Sequence, residues 1–249
     1  MPKSSTDKRH FYIVGALVLV FTLLLGWLLN AALPMPVQAS LEGETIDWLF
    51  RVHMWLIAFL FSLVITFMLY ALIVFRRRKG DESEGDHFEG NTLLEIIWTA
   101  APLVLVVVFG VIGVQALDTV TAKGENEESI RAVGAQWFWS FEYENGVTAP
   151  ELMVPLGQRV VMKLTTKDVN HAFWVPEFRV KQDVVAGMET EVRFTATELG
   201  EYSLLCAELC GGTHWSMVAP VKVVSQEEYT AWLQDQYAVQ NNQTASADN

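Results

Sequence analysis

The sequence predicts an α-helical membrane hairpin, preceded by a signal peptide or a further crossing and followed by an all-β Greek-key domain. Three observations lead there. Apolar residues gather into three runs, 11–33, 54–75 and 96–117, each long enough to cross a hydrocarbon core as a helix. Beyond residue 118 the pattern shifts to short segments of period two separated by turn residues. The chain is 51% hydrophobic with a mean hydropathy of +0.26, yet that surplus lies almost entirely in the first part. The expected organisation is residues 1–39 as a signal peptide or extra transmembrane helix, 40–117 as the hairpin, 118–129 as a linker, 130–225 as the β domain, and 226–249 as a terminal helix with a disordered tail.

The first run follows Lys3, Lys8 and Arg9 and ends near Val37-Gln38-Ala39. Basic residues, an apolar run and small residues at the end match a cleavable signal, although the run is long for one. The other possibility is a retained helix, and both give the same final topology. The second run is followed by Arg76-Arg77-Arg78-Lys79, whereas Glu42, Glu44 and Asp47 precede it. Positive loops stay inside, so residue 1 and the 76–79 loop are cytoplasmic and everything after residue 118 is outside. Arg51 and His53 precede the second run and read as interfacial anchors. Glu95 lies at the inner start of the third run, with Asn91 or Thr92 as a candidate N-cap. Taken alone it is a favourable helix-start carboxylate.

The polar segment 118–129 reads as the linker. Residues 159–165 and 190–195 alternate with period two, 201–205 more loosely, and 218–224 closes the series. Pro155-Leu156-Gly157, Ala186-Gly187 and Leu199-Gly200 supply turns. Tyr229, Trp232, Leu233 and Tyr237 fall at helical spacing and predict an amphipathic terminal helix. Residues 240–249 read as disordered, and the Asn242-Gln243-Thr244 glycosylation pattern as coincidental. Residues 118–249 carry 19 acidic and 9 basic side chains. That balance argues against nucleic acid as a partner and allows steering of a cationic protein.

The chemistry concentrates in Cys206-Ala207-Glu208-Leu209-Cys210-Gly211-Gly212-Thr213-His214-Trp215-Ser216-Met217, which holds both cysteines of the chain. Thiolate, imidazole and thioether together select copper among common metals. His171 is a second candidate imidazole upstream. Two sulfurs, two histidines and a methionine exceed what one blue-copper ion takes, and suit two ions sharing the sulfurs. A Cys206–Cys210 disulfide explains neither His214 nor Met217, and structural zinc has little use for a thioether.

This segment resembles the dinuclear copper A motif of cytochrome c oxidase subunit II of the bacterial type. Asp168-Val169-Asn170-His171 with Phe173-Trp174-Val175-Pro176 is similar to that family's first-histidine segment. Gln136-Trp137-Phe138-Trp139-Ser140-Phe141-Glu142-Tyr143 resembles its aromatic segment. Glu95, Trp98, Thr99 and Pro102 resemble the start of its last membrane helix. The matches run in family order from about residue 47 to about residue 224.

The resemblance implies a cupredoxin-like β-barrel on the outer face of a bacterial plasma membrane. It implies that Cys206 and Cys210 bridge two copper ions, that His171 and His214 bind one each, that Met217 is a weak ligand, and that the Glu208 carbonyl completes the set. The Glu208 side chain would share a magnesium ion with subunit I. Glycines 211 and 212 are expected to relax the backbone that turns His214 inward, and His171 is expected on a separate loop. Trp137 would be the electron-entry aromatic, Asp168 and Asp183 docking acids for the donor, and Glu95 the mouth of a proton-uptake route. The implied activity is electron entry into a terminal, proton-translocating oxidase. The chain would accept electrons from cytochrome c or a small copper protein and pass them to the haems of subunit I, where oxygen becomes water. The alternatives are a copper-free quinol oxidase subunit II, a membrane-bound cupredoxin carrier, a nitrous-oxide-reductase-like enzyme and a dithiol redox sensor.

Overall fold

The computed structural model describes residues 5–77, 79–82, 84 and 89–247, with side chains from residue 8 to residue 242. The chain divides into two units, Met1–Met35 with Trp48–Gly113, and Pro36–Asp47 with Val114–Asn249. Lys3 and Arg78, counted above among the orienting cations, lie outside the described residues, as do the side chains of Gln243 and Thr244.

Three helices account for the apolar runs: α1 (Ser5–Ala32), α2 (Leu41–Val74) and α3 (Thr92–Thr121). All three are long and apolar enough to cross a membrane. Most of their large apolar side chains are exposed, as lipid-facing surfaces are. Within the membrane unit α1 packs tightly on α2: a Cβ on Gly26 would fall 2.2 Å from the Trp55 ring. The polar groups of Thr22 and Asn30 bond back to the carbonyls of Val18 and Gly26, as side-chain donors in an apolar setting do. Asn91 caps α3 by accepting from the Leu94 amide at 3.1 Å.

α2 starts 13 residues before the apolar run that announced it. Ser40 Oγ accepts from the Gly43 amide at 2.9 Å, and Glu42 and Glu44 occupy the first turn, where carboxylates are favoured. The hydropathy window cannot see this polar opening turn. His53 and Arg51 therefore lie within the helix. His53 Nδ1 bonds the Leu49 carbonyl at 2.7 Å, and its ring packs at a tilt against that of Phe109, with centroids 4.5 Å apart.

The second unit contains ten strands: β1 (Glu128–Ala135), β2 (Phe138–Tyr143), β3 (Thr148–Ala149), β4 (Leu152–Pro155), β5 (Arg159–Thr166), β6 (His171–Val175), β7 (Val180–Val184), β8 (Thr190–Thr195), β9 (Gly200–Cys206) and β10 (Val218–Val224). They form two five-stranded sheets, ordered β3-β2-β1-β5-β8 and β4-β10-β9-β6-β7. The β1–β5 and β4–β10 pairs are parallel and the others antiparallel. At one edge, Thr190 Oγ1 of β8 donates to the Asp183 carbonyl of β7 at 2.6 Å. The result is the curled cupredoxin-like barrel that was expected. Phe141, Phe173, Phe178 and Phe194 are fully buried in its core, and each stabilises the fold by about 1.5–3 kcal/mol.

Three boundaries differ from the expectation. The linker is residues 122–127 rather than 118–129, because α3 continues to Thr121 and β1 starts at Glu128. Residues 36–47 belong with the barrel rather than with the hairpin. Ala39 is completely buried in the barrel core; its amide donates to the Glu177 carbonyl at 2.9 Å and its carbonyl accepts from Thr197 at 3.0 Å. Ser40 Oγ donates to the Phe178 carbonyl at 2.7 Å. These residues act as a short extra strand, which only the folded barrel edge can pair. Finally, α4 (Gln226–Ala247) extends through most of the tail expected to be disordered. Ser225 and Glu228 form a reciprocal capping box at its start. Further along, the Gln240 amide exchanges two bonds with the Thr148 backbone and ties the late turns to β3. Tyr229, Trp232 and Leu233 pack on the core, but Tyr237 is half exposed.

One polar cluster joins residues 36–47, the end of α3 and the barrel. Arg159 of β5 pairs with the buried Glu42 and donates to the carbonyls of Val120 and Ala122 at 3.2 and 2.6 Å. Glu42 also accepts from the Thr195 amide at 2.7 Å. Glu127 pairs with Arg193 at 3.0 Å.

Candidate metal centre

Pairing of β6 with β9 decides the site. Phe173 stands opposite Cys206, so the first residue of β6, His171, comes beside the thiol that ends β9. His171 is thus a strand residue, fully buried, and not the loop residue that was expected. From Cys206 the chain enters the loop that carries Cys210, a short 3-10 turn (His214–Ser216) and Met217, then returns in β10. Cys206 and Met217 are closed onto each other by a backbone bond of 3.1 Å.

The donor atoms converge. Cys206 Sγ lies 3.8 Å from Cys210 Sγ, 3.8 Å from His171 Nδ1 and 3.3 Å from the Glu208 carbonyl oxygen. Cys210 Sγ lies 3.5 Å from His214 Nδ1 and 3.8 Å from Met217 Sδ. Both cysteines are free. The ligand atoms of His171, Cys206 and Cys210 all fall within 4.8 Å of one another. Burial, reinforced by the adjacent Cys206 thiol, pushes the Cys210 thiol up to about 11. The bare site therefore keeps its proton, and a soft cation binding there releases it. Three sulfurs and two imidazole nitrogens, arranged as two thiols with one nitrogen beside each, form a donor set suited to copper.

Asp168 sets the orientation of His171. Burial works against its charge, but bonds from the Gln136 amide, the His171 ring, the Val169 amide and the Thr166 hydroxyl outweigh it and hold the carboxyl at about 2. His171 Nε2 sits 2.9 Å from Asp168 Oδ1. An ionised carboxylate there can only accept, so Nε2 carries the proton and Nδ1 keeps its lone pair on the side of the Cys206 thiol, available to a metal. Trp139 closes the apolar side, its ring 6.0 Å from that of His171. Gly134 of β1 lets the ring in: a Cβ there would stand 3.0 Å from His171 Cδ2.

The aromatic segment touches the ligand loop directly. Gln136 Nε2 donates to the Cys210 carbonyl at 2.7 Å. A Cβ on Gly211 would lie 2.9 Å from that same nitrogen and 3.1 Å from Trp137 Cζ2. Gly211 also has φ +128°, whereas nothing lies within 4 Å of a Cβ on Gly212. The two glycines are therefore not equivalent, and only Gly211 is required. Trp137 remains 38% exposed beside the loop. Sequence reasoning missed Gln136 and Gly134. Gln136 heads the quoted aromatic segment, but its role depends on a contact 74 residues away.

The remaining candidates are separate from the donor cluster. Asp183 is an exposed residue of β7, in register with Ala172. The Glu208 side chain is exposed, although its carbonyl faces Cys206. Glu95 is an exposed residue in the first turn of α3, in the membrane unit.

Two family models match the chain: the cytochrome C oxidase subunit II transmembrane domain over residues 28–116, and the periplasmic domain of the same subunit over residues 147–224. Cytochrome c oxidase subunit 2 of Synechocystis is 32% identical across 89% of this chain and 80% of its own. That of Cereibacter sphaeroides is 30% identical across 79% and 78%. Among solved structures, the periplasmic domain of subunit II of cytochrome oxidase from Bradyrhizobium japonicum is 29% identical, with a TM-score of 0.44, covering 46% of this chain and 96% of that one.

Proposed function

Because the chain belongs to the cytochrome c oxidase subunit II family, and so to an oxidoreductase complex, we propose that it is the electron-entry subunit, holding two copper ions between Cys206 and Cys210. The observation that carries this is the convergence of two imidazoles, one thioether and one carbonyl on two adjacent free thiols. Cys206, Cys210, His171, His214 and Met217 would hold the copper, which would supply a one-electron relay there.

The chain's own residues do the rest. Asp168 fixes the His171 tautomer. Met217 and Cys210 are buried, which shields their own sulfurs from water, while Cys206 is half-buried. Trp137 is the entry aromatic: exposed, packed on Gly211, and one residue from a side chain bonded to Cys210. Since the Asp168 carboxylate is engaged by four groups of its own chain, we assign it to positioning His171 and leave Asp183 as the docking acid. The donor is cytochrome c or a small copper protein. Electrons leave to the haems of subunit I, and the exposed Leu209 and Trp215 of the ligand loop suit that subunit's cover. The Glu208 carboxylate stands available to a shared magnesium ion, and Glu95 to protons at the inner membrane face.

The topology is three crossings of a bacterial plasma membrane with the barrel outside. Retention of α1 is favoured over cleavage, because cutting after Ala39 removes a fully buried core residue and its two backbone bonds. A copper-free quinol oxidase subunit has no use for these ligands, and a cupredoxin carrier has none for the second thiol. The decisive measurement is metal content with electron paramagnetic resonance on the copper-loaded chain. Two coppers per chain with a delocalised mixed-valence signal are expected. One copper, or preferential zinc loading, overturns the proposal.

A further inference from the structure

We infer that the groove between α1 and α2 binds an anionic phospholipid, its acyl chain along the helix pair and its phosphate at the basic end. The inference rests on α1 remaining part of the chain and is independent of the copper site. The groove has a volume of about 590 Å³. Along its length it is lined by apolar side chains, among them Phe11, Val14, Phe59, Leu63 and Phe67, and it ends at His10, Tyr70 and Phe75.

That end is polar. His10 Nδ1 and Tyr70 Oη are 2.5 Å apart, and the His10 ring lies 5.3 Å from that of Phe75. These contacts bring the start of α1 against the end of α2. Lys8 and Arg9 directly precede His10, and Arg76 directly follows Phe75; all three are exposed. Asp7 is the single acid adjacent to them in sequence. An apolar trough therefore ends at an imidazole and a phenol, with the cations of Lys8, Arg9 and Arg76 next to them in the chain.

Charge decides the occupant. Cations beside a membrane helix attract anionic headgroups. A hydrophobic helix from another subunit would fill the trough yet leave that charge unmatched, and a zwitterionic lipid carries no net charge to answer it. A lipid with a net negative phosphate satisfies both parts of the site.

The test uses the oxidase complex containing this chain, equilibrated with vesicles of equimolar phosphatidylglycerol and phosphatidylcholine and examined by native mass spectrometry. Selective retention of phosphatidylglycerol on this subunit is expected. Replacing Lys8, Arg9 and Arg76 together with glutamine should lower its retention by about 100-fold, roughly 5-fold per cation, without changing that of phosphatidylcholine. Gly15 lines the groove, and a Cβ on it meets nothing within 4 Å. Gly15→Leu should therefore fill the trough without disturbing the helix pair, and reduce retention of both lipids. Equal retention of the two lipids overturns the inference. So does a triple variant that keeps phosphatidylglycerol, an unaffected Gly15→Leu, a cross-link from position 15 to another subunit with no lipid retained, or an intact mass that lacks α1. Copper content on the same samples separates this outcome from the proposed function: lipid loss with copper retained concerns only the groove.

Discussion

Replacing Gly211 with alanine should strike the electron-entry face while leaving every metal donor atom in the chain. Two costs add. A side chain at φ +128° is held in a region that residues other than glycine rarely enter, at about 1–3 kcal/mol. The new Cβ also falls 2.9 Å from Gln136 Nε2 and 3.1 Å from the Trp137 ring. The Gln136 amide is the free end of a flexible side chain, so it moves, and its 2.7 Å bond to the Cys210 carbonyl is lost at about 0.5–1.5 kcal/mol. The sum is about 2–4 kcal/mol, within the stability of an ordinary domain, so the barrel still folds. A domain of this size should melt roughly 10 °C lower. Thermal unfolding followed by circular dichroism, with copper titration and tryptophan emission on the same samples, reads all three effects. Gly212→Ala is the control, since nothing lies within 4 Å of its Cβ and its φ is not positive. If the two variants melt alike, Gly211 is not held against Trp137 and the description of the entry face is wrong.

Asp168→Asn should weaken copper binding by about 10–100-fold, because an amide no longer enforces the His171 tautomer; competition against a chelator of known affinity measures it, and unchanged affinity refutes the positioning role. Trp137→Gln should slow electron entry steeply with the copper spectrum intact, while neutralising Asp183 should flatten the salt dependence of donor association; stopped-flow reduction at several ionic strengths distinguishes these effects, and normal entry in Trp137→Gln removes the assignment. Burial raises the Glu127 carboxyl, but the Gly124 amide and Arg193 outweigh it and leave the group below its ordinary value of 4.5. Its contribution is therefore present above pH 4.5 and lost as pH falls through the lowered value, so Glu127→Gln should cost roughly 1–3 kcal/mol at neutral pH and flatten the acid limb of the unfolding curve; an unchanged acid limb refutes it. Glu95→Gln should slow oxygen reduction by the assembled complex while leaving reduction of the copper site normal; unaffected turnover makes Glu95 only a helix-start residue.

Several features were legible in the sequence because they depend on neighbours along the chain. The three apolar runs announce helices through length alone. Cys206, Cys210, His214 and Met217 fall within one loop, so their spacing already reports a shared site. Residues 190–195 and 218–224 match β8 and β10 residue for residue, since short β-type runs between turn residues are written locally.

Other features come from partners distant in sequence, and only the folded chain decided them. His171 reaches the thiols because β6 pairs with β9. Ala39 and Ser40 join the barrel because the backbone of residues 177–178 and 196–197 offers open bonds there. Gly211 differs from Gly212 through its positive φ and through the side chains of Gln136 and Trp137, which arrive from the turn between β1 and β2. Composition and periodicity record how a residue meets water or its chain neighbours. Hydrogen-bond register and steric contact between remote segments exist only once the barrel has closed, so the donor types were readable in advance and the register that brings His171 beside the thiols was not.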